Sequence, residues 1–274
     1  MNSATLPYAV LLLLAEFTIG GQLALYATDL RGTVTRGFVK LSAGMIAAGA
    51  ALTLWLAYAI APAQSVAGYA LAQRYFEPAR AVIALALVLI VAYAVLIACE
   101  RRKQSLILGA LASAAAIASL ALVSAIVQIP TWSYAGTFLS LLLGGLALGG
   151  VTLAMSLGHW YLVTPRLPEQ PLNEMTLGLL GILGLETLLL VVNLIAPVRE
   201  APQALTVGIG QNPALWLRVG VGLLFPIALC SMAWRSSRMR GMMSATGLLY
   251  LATGAVLAGE ALACALLFTT AIPG

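Results

Sequence analysis

The sequence predicts an all-α polytopic membrane protein, with eight transmembrane helices forming two parallel-related four-helix bundles. Three observations carry this expectation. Of the 274 residues, 62% are apolar and only 8% are charged, with a mean hydropathy of +1.01. A soluble domain carries about 25% charged residues, so an ordinary soluble enzyme is excluded. Eight runs reach the roughly 20 apolar residues needed to cross a hydrocarbon layer about 30 Å thick. The two halves of the chain also repeat each other's landmarks.

In chain order the expected spans are 7–28, 37–61, 79–98, 105–128, 136–162, 173–196, 214–234 and 242–271. Span 1 has no Lys or Arg before Pro7 and contains Glu16, which favours a retained helix over a cleaved signal peptide. Span 2 closes at Ile60-Ala61-Pro62, and span 3 opens behind Glu77-Pro78. Span 4 runs to Ile129-Pro130. Span 5 carries Gly145 and Gly149, a pair at GxxxG spacing that lets helix backbones approach. Gly20 with Ala24, and Gly178 with Gly181 and Gly184, read as similar packing surfaces. Span 6 closes at Ile195-Ala196-Pro197, span 7 opens behind Asn212-Pro213 and is interrupted by Pro226, and span 8 runs to Ile272-Pro273. The longer connections, 62–78 and 197–213, are rich in Pro, Gln and Ala. No stretch alternates as a membrane strand would, which excludes a β-barrel.

The repeat follows from these landmarks. Ile60-Ala61-Pro62 against Ile195-Ala196-Pro197, Pro78-Ala79 against Pro213-Ala214, and Gly49 against Gly184 all share one spacing. Gly20-Gly21 pairs with Gly149-Gly150 at a slightly shorter one. Four spans per unit is an even number, so the copies point the same way through the membrane, unlike an inverted repeat. The expected units are residues 1–134 and 135–274.

Basic residues give the orientation. Arg31, Arg36, Lys40, Arg101, Arg102, Lys103, Arg166, Arg235, Arg238 and Arg240 fall on one side, against Arg74, Arg80 and Arg199 on the other. Both termini are therefore expected outside, in a prokaryotic inner membrane. The net charge of +5 is a topology signal and a possible contact for anionic lipid. There is no basic patch interleaved with aromatics, so no nucleic-acid partner is expected.

Ionisable side chains at membrane depth cost free energy and are functional candidates. Glu16, Glu186 and Glu260 lie roughly 14, 16 and 20 Å below the outer helix ends at 1.5 Å per residue. Three carboxyls at a common depth can form a proton relay, since burial favours the neutral, proton-bearing acid. The bland alternative is a protonated carboxyl bonded to a neighbouring helix. Asn193 shares a face with Glu186, and Tyr250, Thr253, Leu257, Glu260 and Cys264 form a stripe on span 8. Arg218 either reaches inward to Glu186 or Glu260 or snorkels outward. His159 is the only histidine, beside Trp160 and Tyr161. It reads either as an interfacial residue or as a quinone or proton contact. Together His159, Asn193, Arg218 and Tyr250 are the candidate quinone or ligand residues.

One histidine and three dispersed cysteines exclude bis-histidine or c-type haem, iron–sulfur clusters and a CxxC relay. No metal motif and no Walker loop is present, so no metal site or ATPase is expected. Asp29 reads as a helix-end feature.

Eight spans in two parallel units without metal ligands, with Gly-rich first and fifth spans, resemble the NrfD/PsrC-type membrane subunits of respiratory oxidoreductases. The resemblance covers nearly the whole chain by layout. It implies a subunit that binds quinone, exchanges electrons with an iron–sulfur partner and conducts protons. The chain would carry no redox centre and no catalysis of its own. Two other functions fit the same residues: a proton-coupled secondary transporter of a small substrate, and a scaffold or assembly subunit without chemistry.

Overall fold

A computed structural model describes residues 4–164, 167–199 and 212–270. Arg166, most of the 197–213 connection, and Ile272-Pro273 lie outside the described residues. Among the described residues, eight helices are long and apolar enough to cross a membrane: α1 (Leu6–Arg31), α2 (Arg36–Ala59), α3 (Phe76–Ala98), α4 (Arg102–Ile126), α5 (Tyr134–Val163), α6 (Gln170–Ile195), α7 (Pro213–Arg238) and α8 (Met242–Thr270). Most begin one to three residues before the sequence-based boundaries. The chain is an integral membrane protein by this measure.

Local chemistry explains the helix ends. Pro7, Pro171 and Pro213 occupy first-turn positions, where the missing N–H has no intrahelical partner to lose. Ser133 Oγ caps α5 through the Gly136 N–H at 3.2 Å, and Asn212 Oδ1 caps α7 through the Ala214 N–H at 3.0 Å. Gly32, at φ 65°, closes α1 in the left-handed conformation that favours glycine. Arg80 performs the same service for α2 from another helix. Its Nε and Nη2 donate to the carbonyls of Ala57 (2.9 Å) and Ile60 (2.6 Å), which have no partner within α2.

Helix α7 is not regular. Its Pro213–Leu217 turn gives way to a π-helical stretch, Arg218–Leu224, before α-geometry resumes at Phe225–Arg238. Phe225 donates to Gly220, five residues back. Pro226 follows directly and has no N–H to offer the preceding turn, so the ladder is re-registered just where a regular helix would lose a bond.

The helices differ in how deeply they are enclosed. α1 and α5 are 67% and 61% buried over their most apolar windows, whereas α3 and α6 are only 28% buried, which makes α1 and α5 the central pair. α1 packs against α2, α4, α5 and α8. In the first half α2 also meets α3, and α3 meets α4. In the second half α5 meets α6 and α8, α6 meets α7, and α7 meets α8. The α1–α5 crossing is backbone on backbone. A Cβ on Gly20 would overlap the Gly145 carbonyl, and one on Gly149 would overlap the Gly21 nitrogen. Lipid offers no hydrophobic drive between helices, so this close approach supplies the contact.

The expected Gly178–Gly181–Gly184 packing surface does not form. A Cβ at any of the three would meet nothing within 4 Å, because this face of α6 borders open space. Large apolar side chains such as Trp55, Val88, Leu185 and Trp216 point outward, as a lipid-facing surface requires.

The α2–α3 connection holds a feature without a sequence-level signal. Ser65–Val66 and Tyr69–Ala70 pair as a minimal antiparallel hairpin turning through Ala67 (φ 50°) and Gly68 (φ 85°). It delivers Tyr69 into the bundle end, where its O–H donates to the Val127 carbonyl at 2.6 Å. Burial pushes this phenol above the ordinary tyrosine range. Phe268 of α8 packs on both Tyr69 and Tyr8, with ring centroids 5.2 and 6.2 Å apart. The end of the last helix is thereby held within the cap of the first half.

Candidate functional site

Glu16, Glu186, Glu260 and Arg218 converge. Arg218 is fully enclosed, and the three glutamates are each no more than 3% exposed. Arg218 donates to Glu186 Oε1 through Nη2, and its Nη1 stands 3.0 Å from Glu260 Oε1. The second approach is out of line for a hydrogen bond, so it is an ion pair by distance only. The two outcomes left open for Arg218 are resolved toward the inward one.

Glycine makes the room. A Cβ on Gly222 or Gly259 would stand 2.9 or 2.8 Å from Arg218 Nη1. The guanidinium thus lies in a slot between α7 and α8 that side chains would fill. The π-helical stretch begins at Arg218 itself, and it re-aims the residues that follow. On the other side Gly144 of α5 faces the carboxyls. A Cβ there would stand 2.6 Å from Glu260 Oε2 and 3.4 Å from Glu16 Oε1.

Between α1, α5 and α8 lies a void of about 10 Å³, lined by Glu16, Ser140, Glu260 and Cys264 with Leu141, Ala263 and Leu267. That is room for about one water. Cys264 Sγ is 3.8 Å from Glu16 Oε2. Cys264 belongs to the α8 stripe expected to share a face with Glu260, whereas Ser140 of α5 has no local pattern that marks it.

The remaining candidates stand apart from this cluster. The Asn193 Nδ2 donates to Thr131 Oγ1 at 3.4 Å, which ties α6 to the α4–α5 connection. His159 and Tyr250 meet each other, Nδ1 to hydroxyl at 3.2 Å with rings edge to face, and both are exposed. The expected α8 stripe therefore splits. Tyr250 and Leu257 face outward, while Glu260 and Cys264 face inward, because the stripe spans about 80° of the helix circumference and straddles the packing boundary.

The first half has a polar interior of a different kind. Thr18 and Thr53 hydroxyls lie 3.0 Å apart, and Gln22 of α1 reaches Ser113 Oγ of α4 at 3.4 Å. All of these groups are neutral. The charged cluster thus belongs to the second half plus Glu16.

Asp29 lies in the last turn of α1, the helix-end position expected of it, and its carboxyl is in addition a buried hub. Its carboxyl accepts from Arg36 (2.6 Å) and Tyr93 (3.0 Å) and stands 3.3 Å from Arg102, while Arg102 also donates to the Asp29 carbonyl. Four helices meet there. Both arginines retain contact with water, so the hub is a structural tie. Replacing Asp29 with Asn should destabilise the protein by about 2 kcal/mol, the usual scale for lost bonds to a charged group. Thermal unfolding in detergent would measure this, and an unchanged midpoint would contradict the assignment.

No protein-family model matches the chain, and no curated protein matches it.

Proposed function

We propose that the chain is a proton-handling integral membrane subunit of a respiratory or electron-transfer assembly, with the redox centres on a partner. The observation that carries the proton reading is one enclosed guanidinium among three enclosed carboxyls, beside a void for a single water. Net charge away from water is costly. Electroneutrality around Arg218 leaves two protons to be shared among Glu16, Glu186 and Glu260. Such a set can accept or release a proton at modest cost, and the Ser140–Cys264 void has room for one water to relay it.

The quinone part of the reading is supported by the paired His159 and Tyr250 on the lipid-facing surface and by the layout resemblance to NrfD/PsrC-type subunits. Recovery of a quinone and a cofactor-bearing partner from a gently solubilised preparation would bear it out. Their joint absence would remove it and leave the proton reading standing.

The architecture proposed with this function is a pair of parallel-related four-helix bundles. It is supported by the equivalent neighbour pattern in each half and by the meeting of Gly20-Gly21 with the Gly145–Gly149 face, the matching parts of the first helix of each half. The basic residues favour Arg31, Lys40 and Arg102 at the cytoplasmic side of the inner membrane, with both termini outside.

The decisive experiment is passive proton flux in proteoliposomes under an imposed potential. Glu186→Gln, Glu260→Gln and Glu16→Gln keep the side-chain shape and remove the exchangeable acid. A drop of at least about tenfold is expected, on the scale of a lost proton-transfer group. Wild-type flux in all three variants would overturn the proposal.

A second reading, a proton-coupled secondary transporter, draws on the π-helical break in α7 at Arg218, since discontinuous helices mark transporter sites. It predicts flux only when a transported substrate is present.

A further inference from the structure

Beside the junction of α1, α5 and α6, and lined by none of the residues of the Arg218 cluster, a cleft of about 400 Å³ opens on the helix surface. That volume lies within the range of small-molecule sites. Leu23, Leu146, Met175 and Gly178 are among the residues that make its walls. The space is continuous at Gly178, where a Cβ would meet nothing within 4 Å. Charge appears at one end only. Arg31, the last residue of α1, and Glu174, in the second turn of α6, stand 2.5 Å apart there and are 61% and 36% exposed. Gln170 donates to Glu174 from one turn away, at 2.7 Å.

The shape selects a molecule that is apolar over most of its length and polar at one end. The helix ends place that polar end at headgroup level. The charges select further. A phosphate complements Arg31. A headgroup carrying phosphate alone would leave Glu174 facing a like charge. A quaternary trimethylammonium has no N–H to donate to a carboxylate. A primary ammonium beside the phosphate satisfies both members of the pair.

We propose that this cleft is a specific site for a zwitterionic aminophospholipid of the ethanolamine type, one acyl chain lying between α1 and α6, its phosphate on Arg31 and its ammonium on Glu174. The site joins the first and second halves of the chain, so the bound lipid completes their packing at the basic end.

The test uses the full-length protein in detergent. It is incubated with vesicles of phosphatidylethanolamine, phosphatidylglycerol and phosphatidylcholine of identical acyl composition and re-isolated. The retained lipid is then quantified by mass spectrometry. Phosphatidylethanolamine should exceed each of the others by about fivefold, the factor that about 1 kcal/mol of charge-assisted bonding provides. Gly178→Phe fills the cleft and should abolish that excess, whereas Gly44→Phe, on an exposed face of α2 with equally open space, should not. Glu174→Gln should remove the preference for the amine while some phospholipid remains, and it keeps the test valid if Gly178→Phe misfolds. Equal retention of the three lipids, a preference for phosphatidylglycerol, or full retention by Gly178→Phe would overturn the proposal. So would recovery of an isoprenoid quinone from the cleft in place of phospholipid.

Discussion

Replacing Arg218 with methionine is expected to cost about 3–5 kcal/mol of stability, the scale for removing one partner of a buried ion pair. Glu186 and Glu260 would be left enclosed without their cation. Arg218→Lys should recover only part of the loss. One ammonium cannot reproduce the planar fork that addresses two carboxyls from opposite sides. The triple variant Arg218→Met, Glu186→Gln, Glu260→Gln should regain most of the lost stability, since a neutral replacement of a buried ionic set is often no less stable than the original. That triple variant should still lack proton flux, which separates the fold's need for the cluster from the function's. Thermal unfolding in detergent, read beside flux in vesicles, measures both. A single Arg218→Met variant as stable as the parent would show that the pairs contribute nothing.

Gly20→Leu is expected to yield no monodisperse protein. Ordinary overpacking of a core costs about 1–3 kcal/mol because side chains can give way. Here the obstacle is the Gly145 carbonyl, part of the α5 backbone, so the two central helices would have to separate. Gly184→Leu is the control. It adds the same bulk to a glycine with open space beside it and should leave size-exclusion behaviour and melting temperature unchanged. A well-folded Gly20→Leu protein would mean that the α1–α5 crossing is not the keystone described above.

The membrane class and all eight helices were legible because hydropathy and helix length respond to the same constraint, a layer that must be crossed with every backbone group satisfied. That Glu16, Glu186 and Glu260 lie within apolar spans was legible for the same reason. Their convergence was not, because the facing of one helix toward another depends on tertiary packing. Gly178 and Gly145 illustrate the difference. Both belong to glycine-rich helix faces, yet one meets the backbone of α1 and the other borders open space. The hub at Asp29 was illegible for a further reason. Its partners Arg36, Tyr93 and Arg102 come from three later helices, and nothing local to Asp29 announces them. The π-helical turn at Arg218 had only Pro226 as a hint, and proline signals a disturbance without giving its geometry.

The aromatic cap around Phe268 has a mechanical consequence. Phe268 comes from the last helix, while Tyr8 and Tyr69 belong to the first half, so the two halves are pinned together at that end. The α1–α5–α6 cleft lies toward the opposite end, where Arg31 and Glu174 bridge the halves at the surface. The halves are therefore tied at both ends, by aromatic rings at one and by an ion pair at the other, where Phe38 of α2 also packs on Trp160 of α5, and a motion that parts them must break one tie or the other.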